Sequence, residues 1–333
     1  MKVDAALRGD FAQAAMEAAA HERSGRAGVW CPETKHDGFL TALRAVDATS
    51  TTTIGTAVVV ALGRSPMTVA SAGYDLAGAS RGRFVLGLGT QVKAHVERRY
   101  SMPWSQPAAR MREYVLALQA IWRSWQTDAP LDFEGEFYRH TLMTPFFSPP
   151  AHEAGPPRVM LAAVGERMTQ VAGEVADGML VHAFTTRSYL RDVTWPALRA
   201  AGADGRPFQL CGTPFVVVGR DQDEMDTALR AARERIAFYA STPAYRGVLA
   251  VHGLEDLQPE LTALSKQGRW QDMGAVIPDE LLHEVAVVGE PAEAGRALRE
   301  RWGTLLDRIT PYSAVPLEPE VLDALSCAAA AEG

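Results

Sequence analysis

The alternation of short β-rich segments with longer helical segments constrains the fold of this chain more than any other feature. Predicted strands occupy residues 2–7, 28–32, 52–61, 83–90, 158–163, 178–183, 208–219 and 284–289. Predicted helices follow them at residues 11–24, 39–49, 66–80, 107–125, 166–176, 188–201, 221–240 and 291–302. Strands that alternate with helices of this length favour a parallel sheet with right-handed crossover connections.

Eight such units predict an α/β fold of the closed (β/α)8 TIM-barrel type. The apolar run AVVVA at residues 57–61 is typical of a strand that is buried on both faces, as barrel strands are. The competing fold is an open doubly wound sheet, which usually carries a phosphate-binding loop after its first strand. Here Arg8, Gly9 and Asp10 follow the first strand, and they do not form such a loop. A barrel of this length can be one domain, so we expect residues 1–333 to form a single domain.

Two stretches, residues 130–157 and 241–282, are longer than ordinary connections and are predicted to be insertions. Long loops in compact domains tend to be functional or disordered. Aromatic residues occur in or beside both, including Phe146, Phe147 and Tyr245. We therefore expect ordered lids over a substrate, with packing on the barrel or at a subunit interface as the alternative.

The charge of the chain argues against nucleic acid and anionic membranes as binding partners. The chain has 33 Lys and Arg residues against 40 Asp and Glu residues, a net charge of −7, without basic blocks. Such a chain is a poor ligand for nucleic acid or for an anionic membrane surface. Its three cysteines, Cys31, Cys211 and Cys327, are far apart and do not form a disulfide or zinc pattern. The first ten residues contain no signal-peptide core, so we expect a soluble cytoplasmic protein.

In a closed barrel the catalytic groups lie at the carboxyl ends of the strands. The second predicted strand contains Trp30, and Glu33 and His36 follow it, where they could hold a substrate or transfer a proton. His182 at the end of the sixth strand is a third candidate. The alternative for Trp30 is a core side chain, and for His36 a residue bonded to the backbone near a helix start.

Two further rim segments could bind a cofactor. The fourth strand ends in Gly-Leu-Gly at residues 87–89, followed by Thr90 and Gln91, although the glycines alone are also explained by relief of crowding. Gly165 precedes a predicted helix, and free N–H groups at a helix start with Arg167 nearby can bind an anion. An ordinary helix start is the alternative. The histidine spacing gives little support for a catalytic metal, and the sequence contains no P-loop or G-x-S-x-G motif.

Six sequence blocks, in this order and spacing, resemble a known family. They are TIGTAVVVALGRSPMTVA (53–70), GRFVLGLGTQVKAHVERRY (82–100), PAARMREYVLALQAIW (107–122), FEGEFY (133–138), LAAVGERMTQVAGEVADG (161–178) and AFYASTPAYRGVLAVHG (237–253). With them the chain resembles the luciferase-like monooxygenase superfamily over nearly its whole length, and within it the coenzyme F420-dependent oxidoreductases.

The resemblance implies a deazaflavin that lies across the barrel mouth and exchanges a hydride with a small organic substrate. The cofactor would rest against a bulge at the end of the third strand, where relatives have a non-prolyl cis peptide bond. The implied contacts, with Trp30 as a stacking candidate, are Trp30, Val59, Val60, Ala61, Gly87, Gly89, Thr90, Gln91 and His95, and for the phosphate Val164, Gly165, Glu166, Arg167 and Met168. Glu33 and His36 match the rim position of acid–base or substrate-contacting groups in relatives, and His182 is a further candidate for such a group.

Two parts of the chain depart from the pattern of the family. Many relatives have Asn near the strand-three bulge where this chain has Ala61, and several have Glu or Asn where it has Val92 and His95. The proton donor therefore stays open. An FMN-dependent luciferase-like monooxygenase and a non-catalytic barrel that binds flavin or F420 are the alternatives. A homodimer is expected because dimers are common in the family.

Overall fold

A ring of parallel strands forms the centre of the molecule. The computed structural model describes residues 1–331. Within these residues eight strand positions close the ring, at Lys2–Val3 with Ala5–Ala6, Gly28–Cys31, Thr53–Thr56 with Val59–Val60, Phe84–Gly89, Arg158–Ala163, Gly178–Val181, Gln209–Gly212 and Arg308–Ile309. The first strand closes the ring because Val3 pairs with Ile309 while Ala5 pairs with Val29. The predicted (β/α)8 barrel is confirmed; that it is a single domain stays a prediction.

The third strand is interrupted. The sequence predicts one strand over residues 52–61, but the structure has Thr53–Thr56 and Val59–Val60, separated by a cis peptide bond between Ala57 and Val58. Both halves lie beside the fourth strand. We call residues 57–61 the strand-three bulge. A cis peptide bond at the end of this strand agrees with the position that the family resemblance implies.

The seventh and eighth predicted strands need correction. The apolar stretch 208–219 is two strands, since Gln209–Gly212 lies in the barrel while Phe215–Val218 leaves it. Phe215–Val218 pairs with Ala286–Gly289 in a separate two-stranded parallel sheet, so the prediction of residues 284–289 as the eighth barrel strand is wrong. The eighth strand is Arg308–Ile309. It is too short and begins with too polar a residue to give an apolar pattern.

Helices surround the ring, and their starts follow simple capping chemistry. Asp37, Ser65 and Asp221 accept hydrogen bonds from the first turns of the helices that they precede, as Ser and Asp do at N-caps. The helices outside the barrel are Ala14–Arg23, Gly38–Asp47, Pro66–Ala79, Lys93–Arg98, Pro107–Thr127, Glu166–Val175, Arg187–Tyr189 continuing through Leu190–Thr194 to Trp195–Ala200, Pro291–Trp302 and Pro319–Ala330. Among residues 1–331 no helix is long and apolar enough to cross a membrane.

The first predicted insertion lies on the flank of the barrel. It contains the hairpin Phe133–Glu134 with Arg139–His140, and a 3-10 turn at Pro145–Phe147. Its Met143 accepts a hydrogen bond from Trp125, near the end of the helix Pro107–Thr127 that leads away from the rim. Phe146 and Phe147 are 88% and 72% exposed. They therefore do not form the expected lid over the barrel mouth.

The second predicted insertion is part of a larger ordered excursion between the seventh and eighth strands. It begins with Phe215–Val218, and its helices are Gln222–Ala240, Arg246–Ala250, Leu257–Lys266, Trp270–Val276 and Asp279–Val285. These elements share a hydrophobic core of their own, to which Phe184 at the barrel rim also belongs. The excursion is therefore anchored beside the end of the sixth strand.

Candidate functional site

Glu33 lies after the second strand and is fully engaged by protein groups. Its side chain is 4% exposed and forms an ion pair with Arg64 at 2.9 Å. One carboxylate oxygen accepts a 2.6 Å hydrogen bond from the Tyr100 hydroxyl, and the other accepts one of 3.1 Å from the Val60 N–H. Both oxygens of this carboxylate are therefore already bonded to protein groups.

Arg64 joins this carboxylate to the next helix. Its guanidinium donates to Glu33 and, at 2.7 Å, to Asp37, the N-cap of helix Gly38–Asp47. Burial acts to lower the pKa of Arg64, but the hydrogen bonds to Glu33 and Asp37 outweigh it and raise the pKa. The pKa of Asp37 is lowered, since its bonds to Arg64 and to backbone N–H groups outweigh its burial. The group is thus a charged, hydrogen-bonded network beneath the rim.

The two other candidates near the second strand, Trp30 and His36, lie in different surroundings and outside this network. Trp30 is 4% exposed inside the barrel and donates a 2.9 Å hydrogen bond to Asp4. Its ring lies directly over Gly55, where an added Cβ would be 2.3 Å from the ring. We therefore assign Trp30 to the core and not to the cofactor contacts. His36 is exposed, and its ring centroid is 6.0 Å from that of Phe11.

The third and fourth strands form one surface at the mouth. Val59, Val60 and Ala61 are buried, whereas the two residues directly before them, Ala57 and Val58, are partly exposed. The surface that the bulge offers to a ligand is therefore Ala57 and Val58, and the predicted contact shifts to them.

Gly87 and Gly89 make room for the bulge. A Cβ on Gly87 would lie 1.8 Å from the Thr56 carbonyl oxygen, and one on Gly89 would lie 2.6 Å from a methyl carbon of Val58. The Thr56 hydroxyl also accepts from the Gly87 N–H at 2.9 Å and donates to the Gly87 carbonyl at 2.8 Å. Glycine at position 87 thus permits a close backbone approach, and glycine at position 89 leaves room for the Val58 side chain.

Residues 90–106, which we call the rim segment, continue from the fourth strand. Thr90 and Gln91 are partly exposed, and Gln91 has a φ of 61°, in the left-handed region. His95 is exposed on the short helix Lys93–Arg98, in which Val96 is the buried residue. These predicted cofactor contacts are accessible at the mouth.

The fifth strand leads into an uncapped helix start. Gly165 has a φ of 77° and precedes helix Glu166–Val175, and among the described residues no side chain caps this helix. A Cβ on Gly165 would meet no atom within 4 Å, so the space beside it is open. Val164 and Met168 are partly exposed, and Glu166 and Arg167 are exposed. Free N–H groups in an open position fit the phosphate-binding role that the sequence predicts.

His182 ends the sixth strand in an aromatic setting. Its ring centroid is 4.7 Å from that of Tyr239 and 4.7 Å from that of Tyr245, both on the excursion. Burial lowers the pKa of His182 to about 4, so the ring is neutral at pH 7. Its Nδ1 accepts a 3.0 Å hydrogen bond from the Phe184 N–H, and the proton of the neutral ring is therefore on Nε2.

A small cavity of ≈ 20 Å³ lies between the start of helix Glu166–Val175 and His182. Its walls include Val164 and Gly165 from the fifth strand, His182 from the sixth, and Tyr245 from the excursion. A volume of this size holds about one water molecule. The excursion, and not the first insertion, therefore covers this side of the mouth.

The ring order decides which candidates lie together. The third, fourth and fifth strands are neighbours, so the bulge, residues 87–91 and residues 164–168 form a continuous arc. The second and sixth strands are four places apart in the ring, so Glu33 and His36 lie across the mouth from His182. The three predicted acid–base residues therefore do not form one cluster.

Sequence reasoning missed several partners at this rim. Tyr100 was only part of a matching block, and its bond to Glu33 spans 67 positions of the chain. His252 Nε2 lies 2.9 Å from the hydroxyl of Thr186, the N-cap of helix Arg187–Tyr189, which is another contact between the excursion and the segment after the sixth strand. Neither contact has a local signal. Across the described part of the chain, no group of three or more His, Cys, Asp or Glu side chains is placed to hold a metal ion.

The comparison with protein families decides the classification. A family model for luciferase-like monooxygenases matches residues 3–308. The chain belongs to the luciferase-like monooxygenase family. This family member is 48% identical over 315 residues to an uncharacterized protein of Mycobacterium tuberculosis, and the match covers 93% of each chain.

Solved structures share the barrel of this luciferase-like protein. The coenzyme F420-dependent tetrahydromethanopterin reductase from Methanopyrus kandleri matches with a TM-score of 0.75 and 18% identity, over 98% of this chain and 97% of that one. The oxygenating constituent of the 3,6-diketocamphane monooxygenase from Pseudomonas putida, in complex with FMN, matches with a TM-score of 0.63 and 16% identity, over 93% and 91% of the two chains. At these identities the likeness establishes the fold.

Proposed function

We propose that this luciferase-like protein is a coenzyme F420-dependent oxidoreductase that transfers a hydride between the deazaflavin and a small organic substrate. The observation that carries the proposal is the uncapped, open start of helix Glu166–Val175 on the same arc as the strand-three bulge. A cofactor with a flat ring and an anionic tail needs this combination. The F420-dependent reductase with the same fold supports the choice of cofactor.

The arc offers a separate surface to each part of the cofactor. Ala57 and Val58 of the bulge would support one face of the ring system, and Thr90, Gln91 and His95 would border it. The N–H groups of residues 165–168 would hold the phosphate, with Arg167 adding a positive charge. When bound, coenzyme F420 supplies a two-electron hydride donor or acceptor.

On the other side, His182 would orient the substrate. The ring is neutral, and the hydrogen bond from Phe184 to Nδ1 leaves an N–H donor at Nε2. This donor can hold a carbonyl oxygen without placing a full charge in the apolar surroundings. Tyr239 and Tyr245 pack against the ring and would fix its plane.

His36 is the acid–base candidate that stays in the proposal, because it is exposed at the rim and Glu33 is fully bonded. We expect His36→Ala to lose turnover with reduced F420 and a panel of ketones and enones while it keeps the affinity for F420. Unchanged turnover would remove His36 from the site.

Fluorescence titration of the purified protein with F420 and with FMN tests the proposal directly. We expect F420 to bind more tightly, and Arg167→Gln to weaken it about five-fold through loss of one charge near the helix start. Arg139→Gln, which changes an exposed arginine of the flanking hairpin, is the matched control. Tighter binding of FMN than of F420 would reject the assignment.

An FMN-dependent monooxygenase is the second candidate, because a structure with this fold holds FMN. That function requires oxygen consumption in the presence of FMN and a flavin reductase. A non-catalytic binding barrel would instead bind F420 and reduce none of the ketones or enones.

A further inference from the structure

The fixed carboxylate of Glu33 touches two parts of the cofactor cleft at once. We propose that Glu33 is a positioning residue that latches the rim segment to the strand-three bulge, through the Tyr100 hydroxyl and the Val60 N–H, and so sets the width of the cleft. The inference rests on the proposed function, since it takes the bulge and the rim segment as two sides of the cofactor site.

The two contacts use different oxygens of one carboxylate. Tyr100 donates to Oε1 at 2.6 Å, and the Val60 N–H donates to Oε2 at 3.1 Å. Arg64 donates to both oxygens at 2.9 Å and so holds the carboxylate plane. A shift of the rim segment at Tyr100 is therefore transmitted to the backbone of the bulge through a single rigid group.

The Tyr100 ring packs into the space that the missing Cβ of Gly63 leaves open. A Cβ on Gly63 would lie 2.7 Å from Cδ1 of this ring, so the ring packs against bare backbone at the end of the bulge. The Arg99 guanidinium lies 5.0 Å from the centre of the same ring and donates to the Thr34 carbonyl at 2.9 Å. Two consecutive residues thus tie the rim segment to its neighbours on the second and third strands.

The first part of the rim segment is exposed, whereas near its end the Pro103 carbonyl accepts a hydrogen bond from Arg110 and Gln106 donates one to Glu136. Residues 92–95 are exposed, and Val96 is the buried residue of helix Lys93–Arg98. Burial and the hydrogen bond to Glu33 raise the pKa of Tyr100, so its hydroxyl stays protonated and remains a donor. Loss of this one hydroxyl is therefore expected to free the segment that carries His95.

Tyr100→Phe tests the latch, and Tyr114→Phe is the matched control. Tyr114 is a buried tyrosine whose hydroxyl, among the described residues, has no hydrogen-bond partner. For Tyr100→Phe we expect faster amide hydrogen exchange at residues 93–101 in the cofactor-free protein. We also expect about ten-fold weaker F420 binding, the scale of a lost hydrogen bond to a charged group.

Exchange at residues 93–101 that stays at the wild-type rate would overturn the latch, and so would equal weakening of F420 binding in both variants. Glu33→Gln provides a second test. The single amide oxygen cannot accept from both the Tyr100 hydroxyl and the Val60 N–H as the two carboxylate oxygens do. Amide hydrogen exchange should therefore rise at residues 57–61 as well as at residues 93–101. If the wild-type protein binds neither F420 nor FMN, the proposed function fails, while the exchange measurement still decides the latch.

Discussion

Arg308 of the eighth strand donates two hydrogen bonds to the Asp4 carboxylate of the first strand, at 2.7 and 2.6 Å, inside the closed barrel. Trp30 donates a third, at 2.9 Å. Asp4 and Arg308 are 0% and 2% exposed. An added Cβ on Gly28 would lie 2.3 Å from the Arg308 guanidinium, so the second strand leaves room for the pair. The strands of the barrel therefore close around a buried ion pair whose carboxylate is hydrogen-bonded at both oxygens.

Removal of the arginine from this pair is expected to destabilise the protein strongly. Arg308→Met leaves the Asp4 carboxylate buried without its cation, and we expect the free energy of unfolding to fall by about 3–5 kcal/mol. Urea denaturation at pH 7 measures this loss. The control is Arg112→Met, which breaks an exposed ion pair with Glu174 and should cost less than about 1 kcal/mol. Equal losses in the two variants would contradict the prediction.

Gly87→Ala is expected to disrupt the bulge. The new methyl group would lie 1.8 Å from the Thr56 carbonyl oxygen, and backbone must move to relieve that overlap. We expect a loss of about 3 kcal/mol or more, at the upper end for overpacking. Thermal unfolding followed by circular dichroism tests it. Gly205→Ala, where an added Cβ meets no atom within 4 Å, should leave the midpoint nearly unchanged. A stable Gly87→Ala protein would show that the bulge can shift freely.

Glu22 is expected to make part of the free energy of unfolding depend on pH. Its carboxylate accepts from the N–H groups of Ser50, Thr51 and Thr52; these bonds outweigh its burial and lower its pKa from 4.5 to about 2. Because the pKa is lower in the folded protein, the stabilisation is complete above pH 4.5 and is lost as the pH falls toward 2.

We expect Glu22→Gln to cost about 1 kcal/mol near pH 7, after allowance for solvent screening. Urea midpoints of the two proteins should converge between pH 4.5 and 2. A difference that stays constant over this range would assign the loss to packing and not to charge.

His182 should titrate far below an ordinary histidine. Burial lowers its pKa from 6.5 to about 4, so its contribution to stability is complete above pH 6.5 and declines as the pH falls toward 4. The imidazole signal in NMR spectra, assigned with His182→Gln, reports this pKa. Tyr245→Ala exposes the ring and should raise the pKa toward 6.5. Titration of the wild-type ring near 6.5 would mean that solvent reaches it.

Much of the barrel was predictable because its strands and helices have strong local patterns. The first six predicted strands all lie in the ring, and helix 291–302 begins and ends where it was expected. The pattern failed at residues 284–289, since an apolar run that is buried on both faces looks the same in the barrel and in a separate two-stranded sheet. The strand Arg308–Ile309 gave no signal, because it has only two residues and begins with a charged one.

The sequence alone determined the alternation that makes a barrel and the family, since both depend on patterns of consecutive residues, and it predicted the rim segments at which a cofactor would bind. The tertiary structure alone decided that Glu33 is bonded to Arg64 and Tyr100, that Trp30 belongs to the core, and that His182 lies across the mouth from His36. Bonding capacity, burial and distance around the ring depend on partners that are far apart in the chain, and no local pattern encodes them.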